Sequence, residues 1–352
     1  MIPSKLCPIR WEGQELHLLD QRKLPREVIT FYCRTHEDCF HAIREMVVRG
    51  APLIGFTGIF GLALWKKNHP EGNFEEFEKV AQYLISSRPT AVNLRYEIDR
   101  VVEMSKEDLH KFSSPSYFQF LVQWAEEQIA HLYKHNLRAA SDAREVLKNF
   151  AKPPYRLMTL CNTGYLACGT LGTALGVITH LHQNNEVAHV YASETRPYLQ
   201  GLRLTAYELA TLGINHSVVV EGAASYLMRE KLVDAIFVGA DRIVSNGDTA
   251  NKIGTASLAA VAKYYGIPFF VVAPTSSFDL EMVNGFSIPI ELRDPEEILS
   301  FKGEKIAGSA VEALNPSFDI TSSDLIQGIF CEEGYISPVN QNNIKALIKD
   351  KK

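Results

Sequence analysis

The chain has 352 residues, 46 % hydrophobic and 22 % charged, enough for two domains with separate cores and ordinary for a soluble globular protein. A net charge of −5 without a basic stripe leaves nucleic-acid binding with no electrostatic footprint. The apolar stretch "APLIGFTGIFGLALW" is 15 residues long, short for a membrane span and suited to a buried helix.

In chain order, "IRWEG" and "QELHLLD" read as short strands. Helical apolar spacing follows over about 36–48, 52–67, 74–87, 91–112 and 117–149. Pro52 falls in the first turn of its helix, where a missing N–H costs little. "AKPP" at 151–154 breaks the pattern. Beyond it apolar strand runs recur: "YRLMTL", "VAHVYA", "HSVVV", "DAIFVG", "IPFFVVA" and "FSIPI". Helical segments or short linkers separate most of them, which implies βαβ units. The expected fold class is α/β. A mostly helical domain over 1–150 precedes a Rossmann-like, doubly wound, mainly parallel sheet domain over 151–352. G-x-G-x-x-G is absent after the first of these strands, so nucleotide binding does not come with the fold.

The start "MIPSKLCPIRWEG" has no apolar signal core. Cysteines at 7, 33, 39, 161, 168 and 331 lack framework spacing, so reduced thiols in a cytoplasm are expected. His36, Cys39 and His41 resemble a zinc cluster, but no second ligand pair follows at finger spacing, and no metal is expected.

Three strand ends offer polar side chains. Cys161 ends the strand in "YRLMTLCNTG" ahead of a Gly-rich helix, where a thiolate is favoured; a small buried apolar cysteine reads equally well. In "YASETRPYLQG" a strand ends at Ser193–Glu194, Pro197 starts a helix, and Gln200 lies in its first turn. In "DAIFVGADRIVSNGDTANKIG" a buried strand ends at Asp241, "SNGD" signals a turn, and "TANKIGTASLAAVAKYYG" has helical apolar spacing, which puts Asn251 and Lys252 near that helix's start. An aspartate there is commonly only a cap or turn former. Three such ends on the carboxyl edge of one sheet form a site hypothesis. "VVRGAPLIG" places Arg49, Gly50 and Ala51 at a helix N-terminus, and "SSRPTAVNL" presents Arg88 before a proline. Arginine with unpaired backbone N–H groups makes a phosphate seat, and Lys252 adds a third cation.

"RGAPLIG", "SRPTAVNL", "CNTG", "ETRPYLQGLRLTAYEL", "GADRIVSNGDTANKIGT", "VVAPTSSFD", "RDPEE" and "NPSFDIT" occur in that order over about residues 47–325. Together they resemble the methylthioribose-1-phosphate isomerases. The wider superfamily holds ribose-1,5-bisphosphate and deoxyribose-1-phosphate-type isomerases and non-catalytic regulatory subunits of the initiation-factor nucleotide-exchange complex. The resemblance implies isomerisation of 5-methylthioribose 1-phosphate in methionine salvage, with Cys161 and Asp241 as the catalytic pair. Arg49, Gly50, Ala51, Arg88, Gln200, Asn251 and Lys252 match substrate-binding positions. It implies a homodimer, a small sugar phosphate as the partner molecule and no cofactor, the reaction being internally redox-neutral. Burial is expected to raise the Asp241 carboxyl, and Leu53, Ile54 and Phe56 are expected to line an apolar pocket for the methylthio end. Two departures are Leu160, where the family often has His, and "GYLACGT", where it often has "GALATGG"-like residues. Tyr165 and Cys168 in that segment are expected to reshape the pocket.

Overall fold

The computed structural model describes residues 3–89, 91–301 and 303–348. It divides into two compact units: residues up to Lys134 with Gly164–Gly172, and His135–Thr163 with the residues from Thr173 on.

The first unit opens with an antiparallel sheet of β1 (Ile9–Glu12), β2 (Glu15–Leu19) and β3 (Thr30–Cys33). The sequence reading missed β3, a short strand only one of whose side chains is fully buried. The helices α1 (His36–Arg44), α2 (Ala51–Asn68), α3 (Phe74–Ser86), α4 (Val92–Glu107), α5 (Leu109–Phe112) and α6 (Tyr117–Leu147) follow. Capping boxes at Thr35–Asp38 and Asn73–Glu76 start α1 and α3 by satisfying otherwise unpaired N–H groups. The four-residue α7 (Tyr165–Cys168) completes this unit. A helix that is apolar all round must be enclosed, and α2 is packed by α1, α3, α4 and α7.

The second unit is built on β4 (Tyr155–Thr159), β5 (Val187–Ser193), β6 (His216–Val219), β7 (Ala235–Val238), β8 (Arg242–Val244), β9 (Thr249–Lys252), β10 (Phe269–Val272), β11 (Phe278–Asp279), β12 (Ser300–Phe301), β13 (Glu304–Lys305), β14 (Phe318–Thr321), β15 (Gly328–Cys331) and β16 (Gly334–Ile336). Its helices are the end of α6, then α8 (Ala174–Gln183), α9 (Ala206–Thr211), α10 (Ala224–Arg229), α11 (Thr255–Tyr265), α12 (Glu296–Leu299) and α13 (Gln341–Leu347). The main sheet runs β16-β15-β10-β7-β4-β5-β6, parallel except for the edge strand β16. Counting only the parallel strands in chain order, this is the doubly wound order 3-2-1-4-5-6, whose direction reverses between β4 and β7.

Side chains alternate across the sheet as the two-residue strand period requires. Met158, Ile236, Val238, Phe269, Val271 and Ile329 face a core shared with α10, α11 and α13. Leu157, Val190, Phe237, Phe270, Val272 and Phe330 face one shared with α6, α8 and α9. A smaller sheet, β11-β8-β9-β14, adjoins the strand ends, and β12 pairs with β13.

Three expectations fail locally. "FSIPI" forms no strand: the Asn284 side chain accepts the Phe286 N–H at 3.1 Å and a short 3₁₀ turn follows, while Pro289 has no N–H for a ladder. "TANK" is not helical but is β9, held between β8 and β14. The Gly-rich helix after Cys161 is split into α7 and α8. A four-residue turn supplies no appreciable dipole, so that argument for a thiolate falls.

Candidate active site

In the second unit, Cys161 lies two residues beyond β4 and Asp241 three residues beyond β7. These strands are hydrogen-bonded neighbours, with Leu157 opposite Ala235 and Met158 opposite Ile236. Parallel neighbours lie about 4.8 Å apart. Both residues therefore emerge on the carboxyl edge at the point where strand order reverses, the usual ligand crevice of such sheets.

The Cys161 backbone has φ +64°, in the left-handed region that a non-glycine residue enters at a cost of roughly 1–3 kcal/mol. Its N–H donates to Thr195 Oγ1 at 2.9 Å, and its carbonyl accepts from Thr205 Oγ1 at 2.5 Å. Thr205 belongs to a π-helical turn, Gly201–Thr205, that precedes α9. Gln200 sits at the start of that turn, buried, with Oε1 lacking a hydrogen-bond partner among the described residues. The helix expected from Pro197 thus begins four residues later, at Gly201. Gly201 cannot carry a side chain, since a Cβ would lie 1.6 Å from the Ser193 carbonyl oxygen.

Asp241 begins a hairpin. Its N–H donates to the Ala250 carbonyl at 2.9 Å, and β8 and β9 pair beyond it. Asp241 and Asn251 are thus brought side by side, with Lys252 next along β9. "SNGD" forms the hairpin loop, where the Asp248 carboxylate accepts N–H groups of Gly285 and Ser323, each at 3.0 Å. Arg242 turns to Asp279 at 3.3 Å. Asp241 is exposed, contrary to the burial expected for it. It stands three residues past Val238, the last residue of β7.

Asn251 is buried and donates to Thr255 Oγ1 at 2.9 Å. Lys252 Nζ donates to the Ser317 carbonyl at 3.0 Å and lies 4.5 Å from the centre of the Phe318 ring. Asp319, opposite Asn251 in β14, accepts the N–H groups of Gly254 and Ala256 at 2.8 and 3.1 Å. It caps α11 from a neighbouring strand. Burial pushes its carboxyl above the usual range, against the pull of those N–H groups.

The remaining candidates belong to the first unit. Arg49 is buried, and Gly50 is the N-cap of α2, which no side chain caps. Gly50 has φ +102°, and a Cβ there would meet the Ala167 carbonyl oxygen at 2.4 Å, so only glycine fits. Ala51 and Pro52 open the helix, and Arg88 is half-buried just after α3. Leu53, Ile54 and Phe56 are core residues at most 3 % exposed, enclosed with the rest of α2. Tyr165 and Cys168 are buried, and Cys168 packs in the same core. Leu160 is a core residue of the second unit.

Sequence reasoning missed Thr195, Thr205, Asn162, Glu208 and Asp319. Glu208 carried a readable signal, a carboxylate among the apolar residues of "LTAYELATL"; it is fully buried.

Residues 47–338 match the model of the Initiation factor 2 subunit family. The methylthioribose-1-phosphate isomerase of Leptospira interrogans is 44% identical over 99% of this chain and 100% of that protein. That of Thermotoga petrophila is 42% identical over 98% of each. Among solved structures, 5-methylthioribose 1-phosphate isomerase from Pyrococcus horikoshii OT3 superposes with TM-score 0.89 at 38% identity, covering 99% of this chain and 98% of that one. A structure described as translation initiation factor eIF-2B, subunit delta, from A. fulgidus gives TM-score 0.85 at 34% identity, over 97% and 99%.

Proposed function

This chain belongs to the Initiation factor 2 subunit family, and we propose that it acts there as an enzyme, converting 5-methylthioribose 1-phosphate to 5-methylthioribulose 1-phosphate in methionine salvage. End-to-end likeness to isomerases of that name supports the activity. The observation that carries the reading to particular residues is the emergence of Cys161 and Asp241 from β4 and β7, the two strands at the reversal of strand order.

The phosphate on the anomeric oxygen prevents the substrate from opening to a free aldehyde. Ring opening requires a proton on the ring oxygen, transfer of hydrogen from C2 to C1, and loss of the proton of the C2 hydroxyl. One proton is taken up and one released, so a single acid/base group can serve both ends. Asp241 is that group, and Cys161 assists the transfer or stabilises charge in the transition state. Because Asp241 is exposed, binding of the sugar must supply the desolvation that favours a held proton. In the first unit Arg49, Arg88 and the N–H groups at Gly50 and Ala51 are the phosphate-binding candidates, and in the second Gln200, Asn251 and Lys252 are the substrate-binding candidates. The buried, unpartnered Oε1 of Gln200 supports its part.

The enzyme works as a homodimer in the cytoplasm. Val283, Phe286, Leu292, Ile306 and Leu314, each more than half exposed, support a subunit contact. Six free cysteines fit a reducing compartment, and among the described residues no helix is long and apolar enough to cross a membrane.

Incubating the purified protein with methylthioribose 1-phosphate, 5-deoxyribose 1-phosphate and ribose 1,5-bisphosphate tests the reading. The methylthio sugar should be converted best, the deoxy sugar less well and the bisphosphate poorly, its second phosphate being desolvated without a partner. A preference for the bisphosphate would move the chain to a neighbouring isomerase. Turnover of none would make it a regulator, like the initiation-factor subunit whose structure it resembles.

A further inference from the structure

We propose that Thr195 and Thr205 are positioning residues for the isomerisation, a pair of hydroxyls that clamp the Cys161 backbone in its left-handed conformation and so aim the thiol; the inference rests on the catalytic reading of Cys161. The hydrogen-bond directions around Cys161 are determined on both sides. Thr195 Oγ1 donates to the Ser193 carbonyl at 3.0 Å, which leaves its lone pairs to accept the Cys161 N–H. Thr205 Oγ1 accepts from Asn162 Nδ2 at 3.2 Å, which leaves its proton for the Cys161 carbonyl. Asn162 Nδ2 is in turn held by the fully buried Glu208 carboxylate at 2.7 Å.

Thr205 departs from the ordinary behaviour of a helical threonine. Thr57, Thr179 and Thr211 each give their hydroxyl proton to the carbonyl four residues back in their own helix. Thr205 reaches instead to a residue 44 positions away. It can do so because it ends the π-helical turn, which disrupts the four-residue ladder, and such turns recur at functional sites. Thr195 is itself left-handed at φ +63°, and its N–H is taken by Glu221 Oε1 at 2.5 Å. The left-handed Cys161 is thus held on both sides by threonine hydroxyls, one of them from a residue that is itself left-handed. Conformations of this kind persist only where the surroundings over-determine them.

The test compares Thr→Val, which keeps shape and removes the hydroxyl, with Thr→Ser, which keeps the hydroxyl, at both positions. Four quantities are read: kcat and KM for methylthioribose 1-phosphate, the thermal melt, and the rate of Cys161 alkylation by iodoacetamide relative to Cys7, by peptide mapping. Either Val variant should lose about 10²-fold in kcat, the scale of a misplaced reacting group, with KM little changed. The Ser variants should stay within a factor of about three, as for substitutions that spare the key contact. Alkylation of Cys161 relative to Cys7 should accelerate only in the Val variants, as local opening exposes the half-buried thiol. Equal effects of Val and Ser, or Val variants with wild-type kcat and alkylation ratio, would overturn the clamp. Should a Val variant fail to fold, Thr→Ala at the same position replaces it under the same criteria. If the wild-type protein converts no sugar phosphate, the functional reading fails separately, and the alkylation ratios still decide whether the two hydroxyls hold Cys161.

Discussion

Gly201→Ala is the sharpest perturbation of the framework behind Cys161 and Gln200. The added Cβ would stand 1.6 Å from the Ser193 carbonyl oxygen and 2.8 Å from its carbon, where ordinary contact begins at 3.4 Å. The two backbone segments must part by the difference, 3.4 − 1.6, or about 1.8 Å. Ser193 cannot yield easily, because it pairs with Val219 in β6 within the main sheet. The π-helical turn must therefore move, taking Gln200 and the Thr205 hydroxyl with it. Overpacking of a rigid site costs typically 1–3 kcal/mol, and backbone atoms with no rotamer to adjust place this case near the top, at about 3 kcal/mol. Displacement of the turn should also cut turnover by about 10²-fold. Urea unfolding and steady-state kinetics on wild type and Gly201→Ala measure both. Gly308→Ala is the control, because a Cβ there meets nothing within 4 Å, and it should stay within about 0.5 kcal/mol. A Gly201→Ala variant with wild-type stability and turnover would refute the reasoning.

Arg49→Ala and Arg88→Ala should each raise the dissociation constant for a product analogue by one to two decades, about 1.5–3 kcal/mol per charge-assisted contact, and lower kcat less. Unchanged calorimetric affinity in both variants would place the phosphate elsewhere. Asp319→Ala should cost about 1–2 kcal/mol in urea unfolding, because α11 loses the acceptor for two N–H groups. The Asp319 carboxyl is raised by burial, so its favourable contribution is present below the unfolded carboxylate range and is lost as pH rises through the folded value. The stability of wild type relative to Asp319→Asn should accordingly decline as pH rises through and beyond the ordinary aspartate value of about 3.9; a constant difference as pH rises out of that range would contradict the burial argument.

Much of the framework was legible because it rests on periodicity. The long helices and five of the parallel strands repeat their apolar residues over enough length to reveal the period, and "AKPP" marks where the parallel strands begin. What was not legible depends on partners distant in sequence. β9 opens a stretch with helical apolar spacing but pairs with β8 and β14, and β15, no shorter than β6, β7 or β10, is defined by its pairing with β10 and β16. The left-handed conformations of Cys161, Thr195 and Leu199 have no local signature, because none is a glycine and each is imposed by its surroundings. The exposure of Asp241 was missed for a similar reason: an apolar strand predicts burial of its own residues, not of the residue that follows them.

We propose Cys161 and Asp241, just beyond the ends of β4 and β7, as the residues that carry out the isomerisation. Turnover of saturating methylthioribose 1-phosphate by wild type, Cys161→Ser and Asp241→Asn, with folding checked by circular dichroism, tests it most directly. Removal of an acid/base group costs about 10²–10⁴-fold, and each folded variant should lose that much. Near-normal turnover in either folded variant would contradict the role given to that residue, and near-normal turnover in both would move the chemistry away from the reversal of strand order.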